Sequence, residues 1–156
     1  MDEKKAKALQ KKSGLAPKGK EVIGWKKALR DEQGEQERLL IKLRIPKDAS
    51  RIMGVDENYK RYDFKKDKEI FSYKLNNYKK CRASKAEVLG FFELNGDKLD
   101  CKKAFASYRP NGQGKRFVYK IGETVKPQDP FDRSYQTCES GIHFFMTKQR
   151  AKGYGI

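Results

Sequence analysis

The chain has 156 residues, which fits one domain with a modest core, and its apolar and charged fractions are both 37%. No run of about 18 apolar residues occurs, so we expect no transmembrane helix, and the N-terminal MDEKKAKALQKK lacks the apolar stretch of a secretory signal. Three widely spaced cysteines, Cys81, Cys101 and Cys138, do not form the pattern of a secreted disulfide framework. We therefore expect a cytoplasmic protein with reduced thiols and no membrane partner.

The net charge of +16 is the strongest chemical signal in the composition. Such a charge attracts polyanions and makes their binding steeply dependent on salt. A lysine-rich solvated surface without a specific partner is the alternative. Residues 1–20 hold seven Lys and two acids, and residues 60–85 hold ten Lys or Arg and three acids. If these two stretches share one face, the protein presents a basic patch.

The N-terminal 20 residues are predicted to be a basic arm or a helix. Residues 2–12 have helix-forming composition, with acids in the first turn that complement the helix dipole. Their apolar residues are few and small, so a mobile arm is equally compatible with the sequence. The remaining residues, 21–156, are predicted to form a single domain in which Trp25, the sole tryptophan, is a core anchor.

Residues 38–46, RLLIKLRIP, alternate as a strand does, and Pro46 ends the pattern. One predicted face consists of Leu39, Ile41, Leu43 and Ile45, and the other of Leu40, Lys42 and Arg44.

The segment from about residue 55 to 80 interleaves aromatic and basic residues and is predicted to be an insertion in the domain. Aromatic faces can stack on bases while cationic groups follow the phosphates, which is how single-stranded nucleic acid is held without sequence reading. The predicted nucleic-acid-binding residues are Tyr59, Lys60, Arg61, Tyr62, Lys65, Lys66, Tyr73, Lys74, Tyr78, Lys79 and Lys80. The alternative is a hairpin or short helix whose aromatic residues, such as Phe64 and Phe71, cover a small core.

The second half of the chain is β in character. Asn95-Gly96-Asp97 is a hairpin signal, and Gly90 marks a bulge or a close backbone approach. The predicted strands are residues 86–94, 98–108, 116–121 and 141–146, and the first three are predicted to form an antiparallel meander. Thr147 is predicted to cap a final helix through about Lys152. The predicted fold class is α+β, a small curved and mainly antiparallel sheet with a few helices at the ends.

Cys138, Glu139 and His143 form the constellation closest to a catalytic or metal site. A structural zinc site usually contains a close cysteine pair, and the sequence has none. A cysteine nucleophile with His143 as its base requires the two side chains to meet, but residues 138 and 143 on one extended strand point to opposite faces. A further option is a nucleophilic Cys81 or Cys101 that reaches His143, as its base, from a neighbouring strand. We predict no catalytic residue, metal or cofactor.

Four ordered motifs resemble an uncharacterised domain of bacteriophages and giant viruses that often follows pentapeptide repeats. They are GWKKAL at residues 24–29, LLIKLRIPKDASR at 39–51, KKCRASKAEVL at 79–89 and the segment 119–154, which contains GIHFF. The resemblance implies a fold and a viral or phage setting, with location in the host cytoplasm or the virion. It implies no activity.

GIHFFMTKQRAKGY, residues 141–154, is also similar to the strand-to-helix element of the ADP-ribosyltransferase fold. In that fold a tyrosine at the end of the helix stacks on nicotinamide, and Tyr154 has the matching spacing after His143, which replaces the first tyrosine of the pattern. The His-Gly-Ser or Thr element is missing, and so is a later strand that supplies the catalytic acid. The resemblance therefore implies a nucleotide pocket at His143 and Tyr154 without turnover.

The sequence as a whole predicts a non-enzymatic viral or phage accessory protein that binds a polyanion, with nucleic acid as the first candidate. Two alternatives remain open. One is a virion or anti-defence component that docks on an acidic host or virion protein, and the other is a binder of a nucleotide signal at His143 and Tyr154.

Overall fold

The computed structural model describes residues 20–32, 35–52, 55–63, 68–75, 80–106, 117–131 and 140–154. These residues form twelve strands and one helix. They are β1 Val22–Glu32, β2 Glu35–Ile45, β3 Arg51–Ile52, β4 Val55–Asp63, β5 Lys68–Leu75, β6 Cys81–Ala83, β7 Ala86–Phe92, β8 Lys98–Leu99, β9 Lys103–Phe105, β10 Val118–Lys120, β11 Thr124–Val125, β12 Ile142–Phe144 and α1 Lys148–Gly153. None of the described residues belongs to a helix long and apolar enough to cross a membrane.

The strands form three sheets, and every pairing is antiparallel. The main sheet has the order β10-β9-β1-β2-β7-β11, with β8 also paired to β7, and the other two are β12-β6-β3 and the hairpin β4-β5. The predicted fold class, a small and mainly antiparallel α+β sheet, is confirmed. Both pairings of the predicted meander are present, β7 with β8 and β9 with β10. The middle strand is divided, however, and β9 pairs on its other side with β1 and not with β7.

The long hairpin of β1 and β2 is the centre of the main sheet. Its register runs from Val22 opposite Ile45 to Glu32 opposite Glu35. The predicted β2 alternation is confirmed, because Leu39, Ile41, Leu43 and Ile45 are fully buried in the larger core cluster. β1 was not among the predicted strands, because Gly24 and two adjacent lysines break its apolar pattern.

The remaining predictions for the second half are largely confirmed. The register between β2 and β7 shifts where Lys42 faces Gly90 and Leu43 faces Val88, which places the irregularity beside the predicted bulge glycine. Gly96 closes the β7–β8 turn at φ 101°, a conformation that favours glycine. The predicted strand of residues 98–108 is instead two short strands, β8 and β9.

The end of the chain contains the predicted strand and capped helix. β12 buries Ile142 and Phe144, and the Thr147 side chain accepts a hydrogen bond from the backbone N–H of Arg150 at 3.2 Å. The expected N-terminal arm or helix of residues 1–20 lies outside the described residues except for Lys20.

Two buried arginines stabilise the connections between strands. Arg51 donates from its guanidinium to the carbonyl oxygens of Lys20 at 2.8 Å, Pro46 at 2.6 Å and Ala49 at 3.3 Å. Arg82 donates to the carbonyl of Ser140 at 2.8 Å. Each guanidinium thus donates to backbone carbonyls at a connection between strands, where its several donors suit such contacts.

Gly24 is the point of closest approach between the main sheet and β12. A Cβ atom at this position would lie 2.9 Å from Cγ of the fully buried Phe144 ring. Because the ring is enclosed by the core, it cannot move aside without cost. The first residue of the GWKKAL motif is therefore explained by packing.

We predict that Gly24→Ala lowers the free energy of unfolding by about 1–3 kcal/mol through overpacking against Phe144. The matched control is Gly153→Ala, since a Cβ at Gly153 meets nothing within 4 Å. Urea unfolding followed by Trp25 fluorescence measures both variants. Equal stability of the two variants would contradict the close approach.

Candidate functional site

Four aromatic side chains lie close together on the face of the main sheet opposite the larger core. We call this group the aromatic strip, and it consists of Trp25, Phe92, Phe145 and Tyr154. The ring centroids of Trp25 and Phe92 are 5.6 Å apart, and those of Phe145 and Tyr154 are 5.1 Å apart. Trp25 and Phe145 belong to one buried cluster that Ala151 of α1 also joins. The strip therefore connects the sheet to the helix.

Lysines cover the Trp25 end of the aromatic strip. The Lys148 ammonium lies 4.8 Å from the Trp25 ring centroid and 5.6 Å from that of Phe92. Lys42 approaches Trp25 at 5.8 Å. With only 9% of its surface exposed, Trp25 is confirmed as a core residue. Its ring holds the lysines by cation–π attraction and is too enclosed to stack on a base.

The Tyr154 end is more open. Tyr154 is 40% exposed. The Lys80 ammonium donates a hydrogen bond to the Tyr154 hydroxyl at 3.3 Å and lies 5.4 Å from the ring centroid. Lys27 donates to the Tyr154 carbonyl at 2.9 Å, and the Arg150 guanidinium lies 5.9 Å from the Phe145 ring. This end combines an accessible aromatic face with several cations, as a stacking platform for nucleic acid does.

Four carboxylates of the described residues form ion pairs with cations outside the aromatic strip. The ion pairs join Arg30 to Glu37, Arg44 to Glu21 and Glu87, and Lys85 to Asp48. Within the described part of the chain, none of Lys42, Lys80 and Lys148 has a carboxylate partner.

Lys26 occupies an unusual position on the other face of β1. Along β1 it lies between Trp25, which pairs with Phe145 just after β12, and Leu29, which pairs with Phe105 of β9. We call the space beside β1 between these two pairings the Lys26 crevice. The half-buried ammonium donates to the carbonyl of His143 at 3.3 Å and lies 6.0 Å from the Tyr119 ring centroid. No described carboxylate pairs with it.

Burial, together with the charge of Lys80, lowers the pKa of the Lys26 ammonium to about 8. Both causes act in the same direction, since desolvation and a like charge each disfavour the protonated form. A titratable group perturbed in this way by burial and by a specific charged neighbour is a candidate for a functional site.

The predicted nucleic-acid-binding residues fall into three groups. Tyr59, Lys60, Arg61 and Tyr62 lie on β4, and Tyr73 and Lys74 lie on β5, so the backbone of this segment is a hairpin. Its register places Lys60 opposite Phe71 and Arg61 opposite Ile70. Lys65, Lys66, Tyr78 and Lys79 lie outside the described residues. Lys80 lies next to Tyr154, so the basic segment ends beside the predicted nucleotide pocket.

His143 and Tyr154 are both near the end of β12. His143 is paired with Arg82, and Tyr154 packs on Phe145, two positions further along the strand. Cys81 pairs with Phe144, so its side chain and that of His143 point to opposite faces. The structure therefore does not bring together a Cys81–His143 nucleophile and base. Cys138 and Glu139 lie outside the described residues.

Sequence reasoning missed Lys26, Lys42 and Lys148. One signal for Lys42 was present, because its position on the second face of β2 was predicted correctly, but the sequence did not show which residues cover that face. Lys26 and Lys148 are 122 positions apart, and long-range contacts such as the pairing of Trp25 with Phe145 bring β1 and α1 together.

Comparison with known families gives one match, over residues 13–151, to a family of unknown function, DUF5758. The chain belongs to this family. No curated protein and no solved structure matches the chain. The matched range includes the residues of the aromatic strip and of the Lys26 crevice, except for Tyr154, which lies three residues beyond the end of the match.

We predict that Lys26→Met raises the free energy of unfolding of this DUF5758 member by about 1–2 kcal/mol at pH 7, because it removes a desolvated charge. Below pH 8 Lys26 is protonated in both the folded and unfolded states, so the cost of burying the charge is fully present. As the pH rises from about 8 to 10.5, the folded state releases this proton first, and the cost disappears. The gain from the substitution should therefore shrink over this range.

Urea unfolding at pH 7 and pH 10 measures this difference. Lys47→Met is the control, since Lys47 is exposed and should show a small and pH-independent effect. A gain for Lys26→Met that stays constant with pH would show that the burial of a charge is not its cause.

Proposed function

We propose that the protein is a non-enzymatic binder of a polyanion, with nucleic acid as the first candidate. One observation carries the proposal: Lys42, Lys80 and Lys148 rest on aromatic rings, and no described carboxylate pairs with them. A lysine held over a ring keeps one side of its ammonium group open to a phosphate oxygen. The rings thus position cations without neutralising them.

The total charge supports the same function. A net charge of +16 attracts phosphate backbones from a distance, and the ordered lysines then provide close contacts. The exposed Tyr154 adds a face on which a base can stack. This combination favours single-stranded nucleic acid, whose bases are free to reach an aromatic side chain.

The hairpin of β4 and β5 is the second part of the proposed surface. Its sequence interleaves tyrosines with bases, and the chain that follows it reaches Lys80 at Tyr154. We propose that nucleic acid contacts the hairpin through Lys60, Arg61 and Lys74, and the aromatic strip through its lysines.

The resemblance to a phage and giant-virus domain supports an accessory role in an infected host cell. In this setting the protein acts in the host cytoplasm and is not itself an enzyme. An acidic host or virion protein is the competing partner, because it offers carboxylates to the same lysines.

We predict that the triple variant Lys42→Gln, Lys80→Gln and Lys148→Gln binds labelled single-stranded DNA or RNA at least tenfold more weakly. Each lost phosphate contact should reduce the slope of log K against log[salt] by about 0.7, so the triple change should flatten it by about 2. Binding is measured over a salt series by fluorescence anisotropy.

The matched control removes the same charge from exposed lysines outside the strip, as Lys47→Gln, Lys102→Gln and Lys126→Gln. Equal losses in the two triple variants would reduce the interaction to a general effect of net charge. A third variant, Lys60→Gln, Arg61→Gln and Lys74→Gln, tests the hairpin. No measurable binding of the unaltered protein near physiological salt would overturn the proposal and favour an acidic protein partner.

A further inference from the structure

A row of three apolar residues crosses the face of the main sheet opposite the larger core, near the β10 edge. Val118 lies directly opposite Phe105, and Phe105 lies directly opposite Leu29. We call these three residues the Phe105 row. Ala104 and Ala106, the neighbours of Phe105 in the chain, belong to the larger core, so alternation along the strand places Phe105 on the other face. The row therefore shares its face with the aromatic strip.

The Phe105 row is separate from both buried clusters of the described residues. Leu29 is 9% exposed and is absent from both clusters, and Phe105 and Val118 are half-buried. Apolar surface that the core does not use, and that polar residues surround, is characteristic of a contact site.

Two cations flank the Leu29 end of the row. On the same face, Lys27 precedes Leu29 by two positions along β1, and Arg38 lies opposite Leu29 on β2. Neither pairs with a carboxylate among the described residues. The face continues along β1 to Asp31, so the basic surface ends towards the turn between β1 and β2.

Two lysines lie at the other end of the row. Lys103 and Lys120 are directly opposite each other on β9 and β10, two positions from Phe105 and Val118. Like charges at directly opposite positions of a sheet destabilise it, and no described carboxylate pairs with either lysine. An anion that contacts both ammonium groups would offset this repulsion.

The Lys103 ammonium group also lies near the Phe105 ring, 5.8 Å from its centroid. This distance is close to the outer limit of about 6 Å for a cation–π contact. The ammonium group can therefore exchange the ring for a phosphate oxygen and leave the ring to a planar partner. A partly exposed ring and a nearby cation are the two parts of a site for a base and its phosphate.

Lys27 connects the Phe105 row to the aromatic strip. Its ammonium group donates to the carbonyl of Tyr154 at 2.9 Å, and Leu29 follows it on the same face about 7 Å further along β1. A nucleic-acid strand with a base at the exposed Tyr154 therefore reaches Phe105 by crossing β1 and β9.

We infer that the Phe105 row is a second base-stacking position for single-stranded nucleic acid, with Phe105 against a base and Lys103 and Lys120 on the adjoining phosphates. Aromatic residues on the surface of a sheet hold bases in this way without reading their sequence. An acidic polypeptide has carboxylates for the lysines but no regular series of planar groups for the ring. The inference deepens the proposed function, on which it rests, by giving the path of the nucleic acid from Tyr154 to the β10 edge.

The first test replaces the ring but keeps an apolar side chain, as Phe105→Leu. Binding of labelled oligodeoxythymidine, measured by fluorescence anisotropy, should weaken by at least about fivefold, as loss of one stacked base predicts. Phe117→Leu is the matched control, because Phe117 packs against the larger core. It should change binding less than twofold.

The second test removes the opposed charges, as Lys103→Gln with Lys120→Gln. Loss of two phosphate contacts should flatten the slope of log K against log[salt] by about 1.4, whereas the exposed control pair Lys102→Gln with Lys126→Gln should leave the slope nearly unchanged. In the absence of nucleic acid, the first pair should stabilise the fold, because it removes a repulsion. A loss of stability together with binding would overturn the inference, because it would show that the two lysines serve the fold.

Photo-crosslinking locates the strand directly. A single strand that carries bromouracil should crosslink to both Phe105 and Tyr154, as identified by mass spectrometry of the digested protein. Strand binding that is indifferent to Phe105→Leu, with no crosslink at Phe105, would contradict the inference alone.

Two further outcomes separate the inference from the proposed function. Binding that depends on Phe105 but survives the triple change at Lys42, Lys80 and Lys148 would support the Phe105 row and contradict the role of the aromatic strip. Binding of polyglutamate in place of nucleic acid, sensitive to the lysine pair and indifferent to Phe105→Leu, would overturn both and show that an acidic protein docks on this face.

Discussion

The pair of backbone hydrogen bonds between Trp25 and Phe145 is the constraint on which the rest of the candidate site depends. The amide of each residue donates to the carbonyl of the other, at 2.8 and 2.7 Å. This bridge attaches the end of β12 to the edge of β1, whose other neighbour on that side, β9, pairs only at Leu29. It also sets Phe145 beside Trp25 and leads the chain into α1. The aromatic strip and the Lys26 crevice are both consequences of this single connection.

The described part of the protein uses its two kinds of basic residue differently. Arg51 and Arg82 are buried and donate to carbonyls, and Arg44 bridges two carboxylates, so these guanidiniums stabilise the fold. The fixed array of donors in a guanidinium suits such multiple contacts. Lysines instead cover the aromatic strip, with Lys85 as an exception that pairs with Asp48. The positive charge on the aromatic strip is thus mostly lysine, and its ammonium groups lie over aromatic rings.

Local sequence signals predicted the elements that local chemistry determines. The alternation of β2, the glycine turn after β7 and the threonine cap of α1 each depend on a few neighbouring residues, and each is confirmed. β1 was missed because Gly24 and Lys26 stand on its buried face, where the binary pattern of a strand requires apolar side chains. The pairing of β9 with β1, and the contact of Lys80 with Tyr154 across 74 positions, depend on long-range packing that no local pattern encodes.

Gly24 and Lys26 depart from the strand pattern of β1 for different physical reasons. Gly24 violates the pattern for a reason of packing, since the Phe144 ring occupies the space of its side chain. Lys26 donates one hydrogen bond, to the carbonyl of His143, but an apolar residue there would avoid the cost of burying a charge. The positive charge of Lys80 adds to the cost of burying the Lys26 ammonium group. A lysine with a purely structural role would be expected beside a carboxylate. Residues that break a local rule without a structural gain are concentrated at sites where stability is exchanged for binding. Lys26 fits that description, because its ammonium group donates to the neutral carbonyl of His143 at 3.3 Å and has no carboxylate partner among the described residues.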